Sequence, residues 1–129
     1  MNSNILKRPY YIDKITPFIG KKLIKVLVGQ RRVGKSYLLL QLIKEIKRAD
    51  KNSHIIFIDK EKYEFDHIAD YNDLMVFVNG VRKKSNNYLF IDEIQEIKGF
   101  EKALRSLLSE GFDIYCTGSN ARMLSGELS

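Results

Sequence analysis

The sequence contains no tryptophan, only two prolines and a single cysteine, Cys116. One thiol cannot form an intrachain disulfide, and its solitude excludes a cysteine-rich zinc site. Its place in an apolar segment marks Cys116 for core packing. Long apolar runs are missing too. None approaches the ~18 residues that a membrane-crossing helix needs, so no membrane partner is expected. Residues 1–7 lack the apolar stretch and small-residue cleavage site of a secretion signal, and a cytoplasmic location is the resulting expectation. Histidine is scarce, and His54 and His67 have no companion ligands near them in the chain. Both read as structural or solvated.

What is present suits one α/β domain. The chain has 129 residues, 44% apolar and 29% charged, enough for a hydrophobic core of its own. No internal repeat, low-complexity run or second-domain boundary is visible, so residues 1–129 read as one domain, with about residues 1–20 leading into its core. The formal charge of +6 comes from 22 basic and 16 acidic residues. Basic residues gather at Lys21 and Lys22, at Lys44, Lys47, Arg48 and Lys51, and at Arg82, Lys83 and Lys84. They fit solvated helix ends better than a nucleic-acid footprint, because no aromatic residues are interleaved among them.

Residues 23–28 (LIKVLV) form a short apolar, β-branched run stopped by Gly29, which reads as a buried strand. From Lys35 to about Arg48, Leu38, Leu39, Leu42, Ile43 and Ile46 recur at helical spacing, with basic residues in the last turn. Further strands are expected at residues 55–58, 88–91 and 112–116. Helices are expected from Asp73 to about Lys83, with Asn72 as N-cap, and over residues 100–110, ending at Gly111. Strands alternating with helices imply parallel pairing, hence a layered α/β fold.

Gly29, Gln30, Arg31, Arg32, Val33, Gly34, Lys35 and Ser36 match G-x-x-x-x-G-K-[ST] at every fixed position. The glycines let the backbone curl so that successive N–H groups face inward. The helix that opens at Lys35 adds the positive end of its dipole. Lys35 is placed to neutralise β- and γ-phosphates, and Ser36 to offer its hydroxyl to Mg²⁺. Tyr37, the next residue, joins the expected nucleotide-binding set. The pattern has few constrained positions, but it follows a predicted strand and opens a predicted helix, as its mechanics require.

Tyr88-Leu89-Phe90-Ile91-Asp92-Glu93 is an apolar strand ending in two carboxylates. On an extended chain the two acids would point to opposite sides. Asp92 would then hold Mg²⁺ together with Ser36, and Glu93 would orient and deprotonate an attacking water. Asp59, at the end of Phe57-Ile58-Asp59, is a rival. Asp92 is preferred because an acid stands directly beside it and a whole strand separates it from the loop strand.

The last predicted strand runs into Thr117-Gly118-Ser119-Asn120, read as a polar turn whose hydroxyls or amide would hydrogen-bond the terminal phosphate or the lytic water, with an ordinary polar turn as the alternative. Taken together, GQRRVGKS, YLFIDEIQ and IYCTGSNARMLSGE resemble the AAA+-type P-loop ATPases of the AAA_14 group, relatives of the archaeal ATPase and STAND-like NTPases. The resemblance runs from about Arg8 onward. It implies a three-layer core with sheet order 5-1-4-3-2, in which the fourth strand lies between the first and the third. It puts Thr117, Ser119 or Asn120 at the sensor-1 position, and Arg8-Pro9-Tyr10-Tyr11-Ile12 near the base. Family members resemble a longer chain, with a helical lid and often a C-terminal domain of nuclease-like or DNA-binding type. A further domain is therefore expected after Ser129, with a degenerate short protein as the alternative, and no fifth strand, sensor-2 arginine or lid is found before it. Arg122 is a candidate to act in trans, with a surface role as the alternative.

The expected function is Mg²⁺-dependent ATP binding and hydrolysis. A nucleotide-controlled switch with little turnover is the alternative, and a nucleic acid or a second copy of the chain stays open as a partner. A small-molecule kinase fits less well, because an acid beside the metal-binding acid suits water activation. ATP is preferred to GTP because no N-K-x-D base reader is present.

Overall fold

The computed structural model describes residues 24–28 and 34–118. β1 (Ile24–Val28) is followed by α1 (Lys35–Ala49), β2 (His54–Asp59), α2 (Tyr71–Val81), β3 (Asn87–Asp92), α3 (Phe100–Ser109) and β4 (Asp113–Gly118). Short 3₁₀ turns at Tyr63–Phe65 and Ile94–Glu96 lie in the connections and were not expected from the sequence. The four strands form one sheet in the order β1-β4-β3-β2, and every pairing is parallel. β4 therefore lies between β1 and β3, as the resemblance implies.

This order explains where the helices sit. The step from β1 to β2 crosses the whole sheet in one direction, whereas β2 to β3 and β3 to β4 step back in the other. Crossovers of one hand must then place α1 on one face and α2 and α3 on the opposite face. The core divides accordingly. Leu38, Leu39, Leu42, Ile43 and Ile46 of α1 pack with Leu27, Phe90 and Tyr115. On the other face Leu74, Val78, Ala103, Leu104 and Leu107 pack with Ile56, Ile58, Leu89, Ile91, Ile114 and Cys116. Adjacent strand residues such as Leu89 and Phe90 thus enter different half-cores, which is why the strands read as continuous apolar runs rather than alternating ones. Cys116 is fully buried, and burial pushes its thiol pKa up.

Three boundaries differ from expectation by two residues. α2 begins at Tyr71 and is capped by Asp70, not by Asn72. Asp70 Oδ1 accepts from Asp73 N–H at 2.9 Å, and Asp73 Oδ2 accepts from the N–H groups of Asp70 at 3.3 Å and Ala69 at 3.0 Å. A reciprocal box needs partners three residues apart, and Asp70 with Asp73 supplies them. The same helix stops at Val81 instead of Lys83, because Asn87 accepts from Lys83 N–H at 3.0 Å and donates to Lys83 O at 2.8 Å. β4 continues two residues past Cys116, so Thr117 and Gly118 belong to a strand and not to a turn. Their register partners Leu27 and Val28 on β1 hold them extended.

Candidate nucleotide site at the carboxyl ends of the strands

In an open parallel sheet, ligands collect at the carboxyl ends of the strands, and the chemistry-bearing residues converge there. Gly34 precedes α1 with φ 91° and ψ 11°. That is left-handed backbone, which a residue without Cβ adopts at little cost. It turns the chain from the phosphate-loop motif into the helix, and α1 is secured at once by the bond from Leu38 N–H to Gly34 O at 3.0 Å. Ser36 falls in the first turn of α1, and its hydroxyl donates to Asp92 Oδ2 at the end of β3. The serine of the motif and the preferred acid, 56 positions apart in the chain, meet in space.

Asp92 is 1% exposed. A carboxylate buried this far needs donors on its oxygens, and it has them on both. Oδ2 takes Ser36, and Oδ1 takes the Thr117 hydroxyl from the neighbouring strand. Thr117 is 0% exposed and also accepts Glu93 N–H at 2.9 Å. Glu93 has φ 64° and ψ 58°, left-handed backbone for a residue with a side chain. Such a conformation costs about 1–2 kcal/mol and persists where neighbours fix it. Here the bond to Thr117 and the 3₁₀ turn that follows, with Glu96 N–H donating to Glu93 O at 3.1 Å, do so. The expectation that Glu93 continues an extended chain is therefore corrected. Its side chain is also buried, and Oε1 accepts from Gln95 Nε2 at 2.6 Å.

Asp59 lies directly across from Asp92 in the β2–β3 register. Its Oδ1 accepts from Glu61 N–H at 3.0 Å, so it caps its own turn. Burial, and secondarily the nearby Asp92, raises its carboxyl pKa above the usual value, against the lowering by Glu61 N–H. The adjoining loop is pinned by Lys60, whose Nζ donates to Phe65 O at 2.7 Å and Ile68 O at 2.6 Å. Between the two rival acids, Asp92 is the one joined to Ser36.

A hydroxyl and a carboxylate side by side form a hard oxygen pair of the kind Mg²⁺ accepts. Among the described residues, no group of three or more His, Cys, Asp or Glu could hold a metal ion. The residues present fit the ion.

Tyr37 is exposed on α1. Gly29, Gln30, Arg31, Arg32 and Val33, the sensor candidates Ser119 and Asn120, Arg122 and residues 8–12 lie outside the described residues. Gln95 received no role from the sequence, although it stands two positions beyond Glu93 in DEIQ. Its signal was available only as that spacing. The double engagement of Thr117 had no signal in its own segment, since both partners, Asp92 and Glu93, stand on β3 and the turn after it.

The sheet order, the glycine-led helix start and the Ser36–Asp92 junction define a nucleotide-binding, ATPase-like α/β domain. The chain belongs to the AAA_14 family, described as an AAA domain, whose profile matches residues 21–129. An uncharacterized protein of Haemophilus influenzae is 33% identical over 132 residues, covering 99% of this chain and 33% of that protein. The uncharacterized protein MJ1544 of Methanocaldococcus jannaschii is 36% identical over 107 residues, covering 81% of this chain and 23% of that protein. The chain thus spans a third or less of the length of these relatives. No helix among the described residues is long and apolar enough to cross a membrane.

Proposed function

We propose that this domain binds Mg²⁺–ATP and hydrolyses it. The observation that carries the reading is the hydrogen bond from Ser36 to Asp92, which joins the helix opened by the phosphate-loop motif to the acidic end of β3. In this reading the backbone N–H groups of Gly29 to Gly34 cradle the phosphates, with Gln30, Arg31, Arg32 and Val33 lending main chain to the curl. Lys35 neutralises the β- and γ-phosphates, and Tyr37 borders the site from α1. Ser36 and Asp92 hold Mg²⁺, which when bound spreads the charge developing on the phosphate oxygens. Glu93 orients the attacking water and takes its proton. Ser119 and Asn120 offer polar contacts to the terminal phosphate.

A second reading, a nucleotide switch with slow turnover, is favoured by one observation. Glu93 is buried and its carboxylate is engaged by Gln95, so water activation requires that contact to be exchanged. In either reading the cycle would act on a further part of a longer protein, on nucleic acid or on another copy of the chain.

The test compares two variants. Lys35→Ala should lose nucleotide binding. Glu93→Gln should bind nucleotide like the unmodified chain and release phosphate about a hundredfold to ten-thousandfold more slowly. Unchanged ATP affinity in Lys35→Ala would defeat the proposal. Unmodified protein that binds ATP tightly but releases no phosphate would select the switch.

A further inference from the structure

Thr117 is placed where a phosphate-sensing hydroxyl would be sought, yet its bonds point elsewhere. A hydroxyl has one proton to give and two lone pairs to receive with. Thr117 gives its proton to Asp92 Oδ1 and receives Glu93 N–H at 2.9 Å. Phosphate oxygens only accept hydrogen bonds, so a hydroxyl whose proton is already given has nothing to offer them. The side chain is also fully buried between β1 and β3 and faces no solvent.

We infer that Thr117 is a positioning residue for both acids of the site and not a reader of the terminal phosphate. Its two hydrogen bonds have separate effects. The bond it donates fixes the rotation of the Asp92 carboxylate, so that the other oxygen, Oδ2, is turned to Ser36. The bond it accepts holds the main chain at Glu93, where the strand ends and the backbone turns left-handed. One buried side chain on β4 thereby couples the aim of the metal-binding acid to the placement of the water-activating acid. Removing a partner that orients a metal ligand typically costs about tenfold or more in metal affinity. The phosphate-reading role falls to the residues that follow β4. The inference rests on the ATPase reading for its metal readout, but not for its structural one.

The test uses Thr117→Val, which keeps the branched shape at Cβ and removes the hydroxyl, and Thr117→Ser, which restores the hydroxyl. In the nucleotide-free chain, hydrogen exchange at the Glu93 amide should be faster in Thr117→Val and return toward the unmodified rate in Thr117→Ser. Binding of a non-hydrolysable ATP analogue is then titrated with Mg²⁺. Thr117→Val should need about tenfold more Mg²⁺ for half-saturation, with analogue affinity in EDTA unchanged and Thr117→Ser close to normal. A residue that merely supports the fold would lower the melting temperature without moving the Mg²⁺ midpoint. An unchanged Glu93 exchange rate in Thr117→Val overturns the inference whatever the nucleotide does. So does an unchanged Mg²⁺ midpoint, or a loss of analogue affinity in EDTA as large as the loss in Mg²⁺. If the unmodified chain binds no analogue at all, the ATPase reading fails, and the Glu93 exchange rate alone decides the role of Thr117.

Discussion

Two carboxylates end neighbouring strands, and their surroundings separate them. Asp92 has hydroxyl donors on both oxygens, one from each flank. Asp59 stands across from it with a backbone N–H on one oxygen. The sequence favours Asp92 because Glu93 follows it, and the structure joins Asp92 to Ser36. The backbone turn at Glu93 was not legible, since nothing in an apolar strand ending in two acids signals left-handed geometry. The raised pKa of Asp59, due first to burial, means that the folded chain keeps this proton to a higher pH than the unfolded chain, whose carboxyl titrates near 3.8. Asp59 therefore contributes stability that is fully present below that value and is lost as the pH rises through its folded pKa. At neutral pH the charge is a cost. Asp59→Asn, which keeps an acceptor for Glu61 N–H, should raise the urea midpoint at pH 7, and the gain should shrink as the pH approaches 3.8. A gain that grows on acidification would contradict the assignment.

At the scale of elements, the helices were legible because apolar spacing names the buried face. Leu38, Leu42 and Ile46 of α1 and Leu104 and Leu107 of α3 are all buried as that spacing requires. Their ends were harder to read. Asn72, a good cap by residue type, is exposed within the first turn of α2. The reciprocal bonds of Asp70 and Asp73 define the start instead. Residue type favours several positions for a cap, whereas the geometry admits one. Asp70→Ala should therefore cost about 1 kcal/mol in urea unfolding. Asn72→Ala should stay within about 0.5 kcal/mol of the unmodified chain. The reverse order of the two costs would restore the sequence-based cap. β4 was underestimated for a related reason. Thr117 and Gly118 look like turn residues, but pairing to β1 keeps them in the sheet.

At the scale of the whole molecule, strand order was not legible from patterning, because four apolar runs alternating with helices fit several parallel orders. It came from the family resemblance, and its consequence is that β1, which leads to the phosphate-loop motif, adjoins β4 and not β2. That junction carries a buried charge pair. Lys25 of β1 is joined to Asp113 of β4, and Asp113 also accepts from Tyr115 Oη at 2.7 Å. The Lys25 ammonium lies 4.6 Å from the Tyr115 ring centroid, and that ring stacks on Phe90 at 4.7 Å. The pair belongs to the α1 half-core, at the end of the strands away from Ser36 and Asp92. A buried pair of this kind adds little net stability compared with apolar residues, yet breaking one by removing a member costs about 3–5 kcal/mol. Asp113→Ala should lose stability of that order in urea unfolding. The pair joins the amino-terminal ends of β1 and β4, away from Ser36 and Asp92. Folded Asp113→Ala protein should therefore bind ATP with unchanged affinity, and saturating nucleotide should raise its melting temperature, because a ligand that binds only the folded state stabilises it by mass action. A loss below about 1 kcal/mol would mean that Lys25 escapes to solvent when its partner is removed. A stable variant with weakened ATP binding would mean that the ion pair shapes the site itself.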